Sequence, residues 1–337
     1  LYLKFYRDVA VVPRVGREDL LISLFMPERM EKQLRHILEK QGYAIVGNHS
    51  AVKHCHWLRK SLLFDVPCYK QTFYGIESHR CLQMTPAANQ CTQKCLFCWR
   101  YQGFTETKID EKDADEPEFV FEKSLEAHRQ LVSGFKGDDR CDEEKWKEAR
   151  EPKHVACSLT GEPTLYPFLS DFFEVCHRHG MTTFLVTNGT TPEVLENMDT
   201  LPTQLYVSLS APNEDIYKKL NCPLIKHGWE RLNRTLEILP SLGTRTVIRH
   251  TLVDGWNLGY EEEYAKLDKK AEPWFIEPKG YVHVGYSRER LTEGNMPSHE
   301  KIRTFSERLA PLTGYEILAG REESRVILLG RGKERKI

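Results

Sequence analysis

Apolar positions along the chain follow two periods in turn. Met30–Gln41 (MEKQLRHILEKQ) spaces them as an amphipathic helix does, and Gly42 ends the run. Arg80–Thr85 reads as a buried strand, Glu118–Phe135 as a helix, His154–Leu159 (HVACSL) as a strand, and Phe168–His179 as a helix stopped by Gly180. Thr182–Thr187, Gln204–Leu209, Arg245–Leu252 and Pro273–Glu277 are further short apolar strands, with helical spacing between them, notably at His227–Leu239. Six strands alternating with helices predict an α/β fold with a parallel sheet and right-handed connections. The expected architecture is an incomplete (β/α)6 barrel with its site at the carboxyl ends of the strands.

Some stretches break the pattern. His49–Arg100 is rich in aromatic residues and cysteines and poor in periodic runs. Asp138–Pro152 (DDRCDEEKWKEAREP) reads as a charged surface insertion, and Arg331–Lys336 (RGKERK) as a mobile basic tail. The chain divides into a helical extension (1–42), a cysteine-rich segment packed on the barrel (43–90), the core barrel (81–290) and a C-terminal helix with strands (291–337). The first residue is Leu1, and the stretch before Met26 is a candidate upstream extension.

Of the 337 residues, 40% are hydrophobic and 29% charged, ordinary for a globular protein. No apolar run approaches the roughly 18 residues of a membrane span, and the N-terminus lacks the apolar core of a signal peptide. A cytoplasmic location is therefore expected, and a monomer is the expected state. The net charge of −1 gives no global sign of a nucleic-acid partner. Locally, His49–Lys108 carries eight Lys and Arg against three acids, whereas Ile109–Glu151 carries eight against fifteen. The first block can attract phosphates or form a solvated face, and composition favours neither.

Ten cysteines in a reducing compartment point to metal or redox chemistry. Cys91, Cys95 and Cys98 share one loop, CTQKCLFC. Three thiolates on a four-iron cubane leave one iron without a protein ligand. That iron can bind the amino and carboxylate groups of S-adenosylmethionine (SAM). A zinc site would want four protein ligands. Cys55, Cys68 and Cys81 lie upstream at equal intervals of 13, which suggests three turns converging on a second cluster. Taken alone they read equally well as buried core cysteines.

CTQKCLFC resembles the C-x3-C-x-aromatic-C signature of the radical SAM superfamily, with Phe97 before the last cysteine. Gly161-Glu162-Pro163 follows a strand, as that superfamily's SAM-binding motif does, and Thr187-Asn188-Gly189 ends the next strand. The resemblance implies SAM contacts at Phe97, Gly161, Glu162, Pro163, Asn188 and Ser208. The stretches HSAVKHCHW, CYKQTFYGIESHRCLQMTP, CTQKCLFCWR, EPKHVACSLTGEPTLYP, TTFLVTNG, TQLYVSLSA and YVHVGYS, between Tyr43 and Gly330, resemble the archaeal 4-demethylwyosine synthase family.

That resemblance implies a radical SAM barrel with an N-terminal extension carrying an auxiliary cluster, two [4Fe-4S] clusters in all. It implies a carbon–carbon lyase acting on N1-methylguanosine-37 in the anticodon loop of tRNA-Phe. SAM yields a 5′-deoxyadenosyl radical, which takes hydrogen from the N1-methyl group. The methylene then joins two carbons of pyruvate. Lys70, two residues after Cys68, matches the candidate Schiff-base lysine; as a bare residue it reads also as a surface cation or a phosphate contact. Electrons would come from an external flavodoxin or ferredoxin. Arg249, Glu277, Lys279 and His283 lie late in the fifth and sixth strands and are further candidates, or structural ion-pair partners. Trp57, Tyr69, Phe73, Tyr74, Trp99 and Tyr101 suit stacking on splayed bases, or a core around a cofactor. The competing functions are another radical SAM lyase or activase with an auxiliary cluster, and a non-enzymatic iron–sulfur RNA-binding protein.

Overall fold

A computed structural model describes residues 30–332 and 334–337; the segment before Met26 lies outside them. The strands are β1 (Ala44–Val46), β2 (Ser50–Val52), β3 (Cys81–Thr85), β4 (His154–Cys157), β5 (Thr182–Thr187), β6 (Gln204–Ser208), β7 (Arg245–Leu252), β8 (Phe275–Gly280), β9 (Glu316–Arg321) and β10 (Val326–Gly330). They form one mixed sheet in the order β1-β2-β3-β4-β5-β6-β7-β8-β10-β9. The six strands legible in the sequence, β3 to β8, are its parallel centre. The β1–β2 hairpin joins one side antiparallel to β3, and β10 joins the other antiparallel to β8.

Helices α1 (Lys32–Lys40), α2 (His56–Phe64) and α3 (Tyr69–Tyr74) precede or interrupt the N-terminal strands. Then follow α4 (Pro117–Ser133), α5 (Glu143–Ala149), α6 (Leu169–Arg178), α7 (Pro192–Glu196), α8 (Gly228–Ile238), α9 (Glu261–Ala271) and α10 (His299–Thr313). Side chains alternate across each strand, so the parallel centre has two apolar faces. Leu82, Val155, Leu185, Leu205, Ile248 and Ile276 share a core with helix residues such as Phe172, Leu232 and Tyr264. Their strand neighbours Ala156, Phe184, Tyr206, Val247 and Phe275 form a second core, closed by Tyr69, Phe73 and Tyr74 of α3.

The cysteine-rich segment is thus more regular than its sequence suggests. Cys55 caps α2, its Sγ accepting from the Leu58 amide at 3.3 Å, and Cys68 occupies the N-cap of α3. Both helices end on a left-handed residue, Asp65 and Gly75. Runs of nine and six residues are too short for apolar spacing to stand out.

Two other expectations are corrected. Asp138–Pro152 is not merely a surface insertion: within it α5 turns its charges outward and buries Trp146 and Ala149 against Leu58, Leu62 and Val132. The Trp146 Nε1–H donates to the Val132 carbonyl at 3.1 Å. The basic tail is docked. The Arg245 guanidinium donates to the carbonyls of Glu334 (2.8 Å) and Arg335 (2.6 Å), and the Ile337 amide donates to Tyr74 O at 3.0 Å.

Trp146→Ala should cost about 3 kcal/mol, read as a lower denaturation midpoint, because it empties that satellite core. A pH effect comes from His154. Its Nε2 accepts from the Glu77 amide at 3.1 Å and its Nδ1 pairs with Thr182 Oγ1 at 2.6 Å, so the bonded form is neutral. Burial lowers its pKa from 6.5 to about 4. Above about pH 6.5 the ring is neutral in both states; as pH falls from there, the unfolded chain binds the proton first and stability drops until about pH 4. Unfolding midpoints measured from pH 7.5 to 5 should show that drop, at most about 1.4 kcal/mol per pH unit from this group. His154→Gln, which keeps an acceptor, should make it shallower, the remainder coming from other buried histidines such as His54, also lowered to about 4.

Candidate active site

Cys91, Cys95 and Cys98 sit in the loop that leaves β3. Backbone bonds pin it: Cys91 N to Glu106 O (2.8 Å), Lys94 N to Cys222 O (3.0 Å) and Leu96 N to Leu220 O (2.9 Å). The clamping partner, Tyr217–Asn221, is a turn of π-helix, which sequence reasoning did not find. Burial pushes the Cys91 thiol up to about 11 and Cys95 well above its usual range, with Arg100 pulling both back. Asn188 Nδ2 lies 3.8 Å from Cys91 Sγ, and Asn221 Nδ2 lies 3.8 Å from Cys95 Sγ. Thiols this desolvated ionise most readily beside a metal centre, which removes their protons outright. The donor set therefore fits a cationic cluster.

The GEP segment follows β4. Gly161 has φ +68°, and a Cβ there would meet the Ala87 carbonyl oxygen at 1.7 Å, so only glycine fits. Glu162 is buried, with three donors on Oε1 and one on Oε2. It accepts from Thr187 Oγ1 (2.7 Å), the Asn188 amide (2.7 Å), Thr164 Oγ1 (2.7 Å) and the Thr164 amide (3.2 Å). It ties the end of β4 to the end of β5. Phe97 packs beside Leu220, Val253 and Tyr281, Pro163 is buried, and half-buried Ser208 ends β6 in register with Arg249.

Cys55, Cys68 and Cys81 come from three separate elements, the caps of α2 and α3 and the first residue of β3. They converge. Burial raises all three thiol pKa values, Cys55 to about 11; the charge of Cys68 adds to the rise at Cys55, and those of Cys55 and Cys68 to the rise at Cys81. Among the described residues, the His, Cys, Asp and Glu set whose ligand atoms all lie within 4.8 Å of one another is Glu77, His79 and Glu148, where Lys153 Nζ already holds Glu77 at 2.7 Å. Neither cysteine triplet closes that far, so both are more open than a single tetrahedral zinc ion needs.

Lys70 points from α3 to the inner face of the sheet. Its Nζ lies 4.8 Å from the centre of the Phe184 ring and 4.5 Å from that of Tyr206. Burial, then the nearby Arg249 charge, lower its pKa, while Glu277, Cys68 and Cys81 oppose the fall. Beside it, the Arg249 Nη2–H and Nε–H donate to Glu277 Oε2 at 2.8 and 3.1 Å. Glu277 also accepts from the hydroxyls of Tyr74 (2.5 Å) and Tyr69 (3.3 Å). Lys279 Nζ donates to Ser324 O at 2.6 Å and lies 5.1 Å from the Tyr69 ring centre, with burial taking its pKa down to about 8.

Lys70, Arg249, Glu277 and Lys279 thus meet beside the second cysteine set. His283 does not join them: its Nε2–H donates to the Leu291 carbonyl at 3.0 Å within its own loop. Tyr69, Phe73 and Tyr74 are also corrected, since they are buried in the inner core and closed to a stacking base. Trp57, Trp99 and Tyr101 keep accessible surface. Tyr206, beneath both Lys70 and Arg249, carried no signal in the sequence beyond its place in a strand.

The pattern of the radical SAM superfamily matches residues 85–267, and that of wyosine base formation matches 270–331. The S-adenosyl-L-methionine-dependent tRNA 4-demethylwyosine synthase of Pyrococcus abyssi is 53% identical over 307 residues, 90% of each chain. That of Methanocaldococcus jannaschii is 44% identical over 317 residues, covering 93% of this chain and 98% of its own. A solved structure of TYW1 with a lysine–pyruvate adduct bound is 42% identical, with a TM-score of 0.83, covering 92% of this chain and 98% of its own. Superfamily membership implies SAM and a [4Fe-4S] cluster. On this identity and coverage, the chain belongs to the S-adenosyl-L-methionine-dependent tRNA 4-demethylwyosine synthases of the radical SAM superfamily.

Proposed function

We propose that this chain converts N1-methylguanosine-37 of tRNA-Phe and pyruvate into 4-demethylwyosine. The observation that supports this most is the setting of Lys70, an amine held between three converging thiols and an aromatic floor. The solved structure of a relative 42% identical in sequence has a lysine–pyruvate adduct bound. In this reading the parallel strands curve into an incomplete barrel, and residues 43–90 form the extension that holds an auxiliary [4Fe-4S] cluster at Cys55, Cys68 and Cys81.

The cluster at Cys91, Cys95 and Cys98, with SAM, supplies the one-electron chemistry. Phe97, Gly161, Pro163, Asn188 and Ser208 line the SAM site. Glu162 joins them: Thr164 and Thr187 hold its Oε1, and Oε2, which accepts only the Asn188 amide, keeps a lone pair for the SAM ammonium. The Lys70 amine attacks the pyruvate ketone; a C–N bond forms and water leaves, which fixes the three-carbon unit inside the sheet. The guanine base leaves its stack to reach SAM, and the basic block from His49 to Lys108 with Trp57, Trp99 and Tyr101 serves the anticodon loop. A separate flavodoxin or ferredoxin supplies electrons to a cytoplasmic monomer. Among the described residues no helix is long and apolar enough to cross a membrane.

The test is an anaerobic assay with N1-methylguanosine tRNA, pyruvate, SAM and dithionite. The tricyclic product is expected with the wild-type chain. Lys70→Ala should lose product by about a hundredfold or more while SAM is still cleaved. Absence of product from the wild-type chain, with SAM cleaved, would favour another radical SAM reaction. Iron analysis gives an independent check: about eight irons per chain, falling to about four in a Cys55/Cys68/Cys81 triple-alanine variant that keeps the SAM loop.

A further inference from the structure

Lys70 Nζ and the Arg249 guanidinium carbon both lie over the ring of Tyr206, at 4.5 and 4.4 Å from its centre. Those two distances put the cations no more than 8.9 Å apart. Two neighbouring cations above one aromatic ring need a reason to be there.

Arg249 is also held in an oriented way. Its bonds to Glu277 Oε2 and Tyr69 OH all use Nε and Nη2, and Nη1 takes no part in them. Glu277 is fully buried, and Tyr74 occupies its other oxygen. The guanidinium side chain keeps 15% of its surface accessible. The accessible end of this ion pair is therefore the arginine. Around it, Lys70, Arg249 and Lys279 face a single carboxylate, and Lys279 is spent on the Ser324 carbonyl.

We infer that Arg249 anchors the carboxylate of a 2-keto acid whose ketone carbon is bound at Lys70, with Glu277 and Tyr69 orienting the guanidinium. This deepens the reading of Lys70 above and rests on it. A 2-keto acid carries its carboxylate one bond from its ketone. Capture of the ketone by Lys70 sets the acid within a few ångströms of Nζ, inside the reach of Arg249. The Nη1 hydrogens that remain make a charge-assisted bond to a carboxylate oxygen, whereas a neutral substituent in its place leaves the guanidinium without an anionic partner on that side. Arg249 thereby selects keto acids from other small carbonyl compounds.

The test traps the imine. The full-length, anaerobically reconstituted protein is incubated with pyruvate or with hydroxyacetone, which replaces the carboxylate by a neutral CH2OH. Lys70 amine and ketone give an imine and water, and cyanoborohydride delivers hydride to the imine carbon, leaving a secondary amine read by peptide mass spectrometry. Arg249→Ala leaves Glu277 buried without its cation, so it is paired with the double variant Arg249→Met/Glu277→Gln, which removes both charges. The expected result in each is a loss of about tenfold or more in the preference for pyruvate over hydroxyacetone, with hydroxyacetone still trapped on Lys70. An unchanged preference overturns the assignment of Arg249. Parallel loss of both adducts overturns it too, because the arginine would then be only structural. An adduct that persists in Lys70→Ala, on another lysine, instead sinks the reading of Lys70 and this inference with it.

Discussion

A parallel sheet has two apolar faces, and each must be covered. Helices cover one here. On the other, Tyr69, Phe73 and Tyr74 of a six-residue helix pack on Phe184, Tyr206 and Phe275, and most of the site follows from that contact. The helix cannot sit on the sheet without carrying Cys68 at its cap and Lys70 in its first turn to the inner face. It also brings two tyrosine hydroxyls to Glu277. Packing and chemistry are therefore the same event, and the docked C-terminus bonds the end of this helix at Tyr74.

The price of this arrangement is a set of ionisable groups away from water, and each is compensated locally. Glu277 receives Tyr74, Tyr69 and Arg249; an unpartnered carboxylate at full burial would be untenable as an anion. Glu162 solves the same problem beside the SAM loop with four donors from two strand ends. Both carboxylates act as fixed points. One sets the turn after β5, and the other sets the face of a guanidinium.

The cysteines are the groups that the polypeptide does not compensate. Burial raises the thiol pKa at Cys55, Cys68, Cys81, Cys91 and Cys95, and Arg100 and Lys70 offset this only in part. Cys91 and Cys95 ionise most readily beside the cationic core of the cluster that superfamily membership implies. Assembly of that cluster is thus coupled to the folding of the loop after β3 that carries them.

Much of this was written locally in the chain. The period of apolar residues gave β3 to β8 and their helices, and CTQKCLFC, GEP and TNG gave the SAM-side loops, because ligands within one turn keep their geometry wherever the turn is placed. The regularity of α2 and α3, the packing of Trp146 and the docking of the tail were not legible. Their partners, Val132, Tyr206 and Arg245, are distant in sequence, and no short-range pattern encodes such contacts. The sequence by itself named the candidates for the chemistry: the two cysteine triplets, Lys70, Arg249, Glu277, Lys279 and His283. Only the tertiary structure decided which of them meet, leaving His283 in its own loop and setting Arg249 over the ring beneath Lys70. Proximity of that kind arises when helix and sheet exclude water from a shared face, and that is a property of the packed chain.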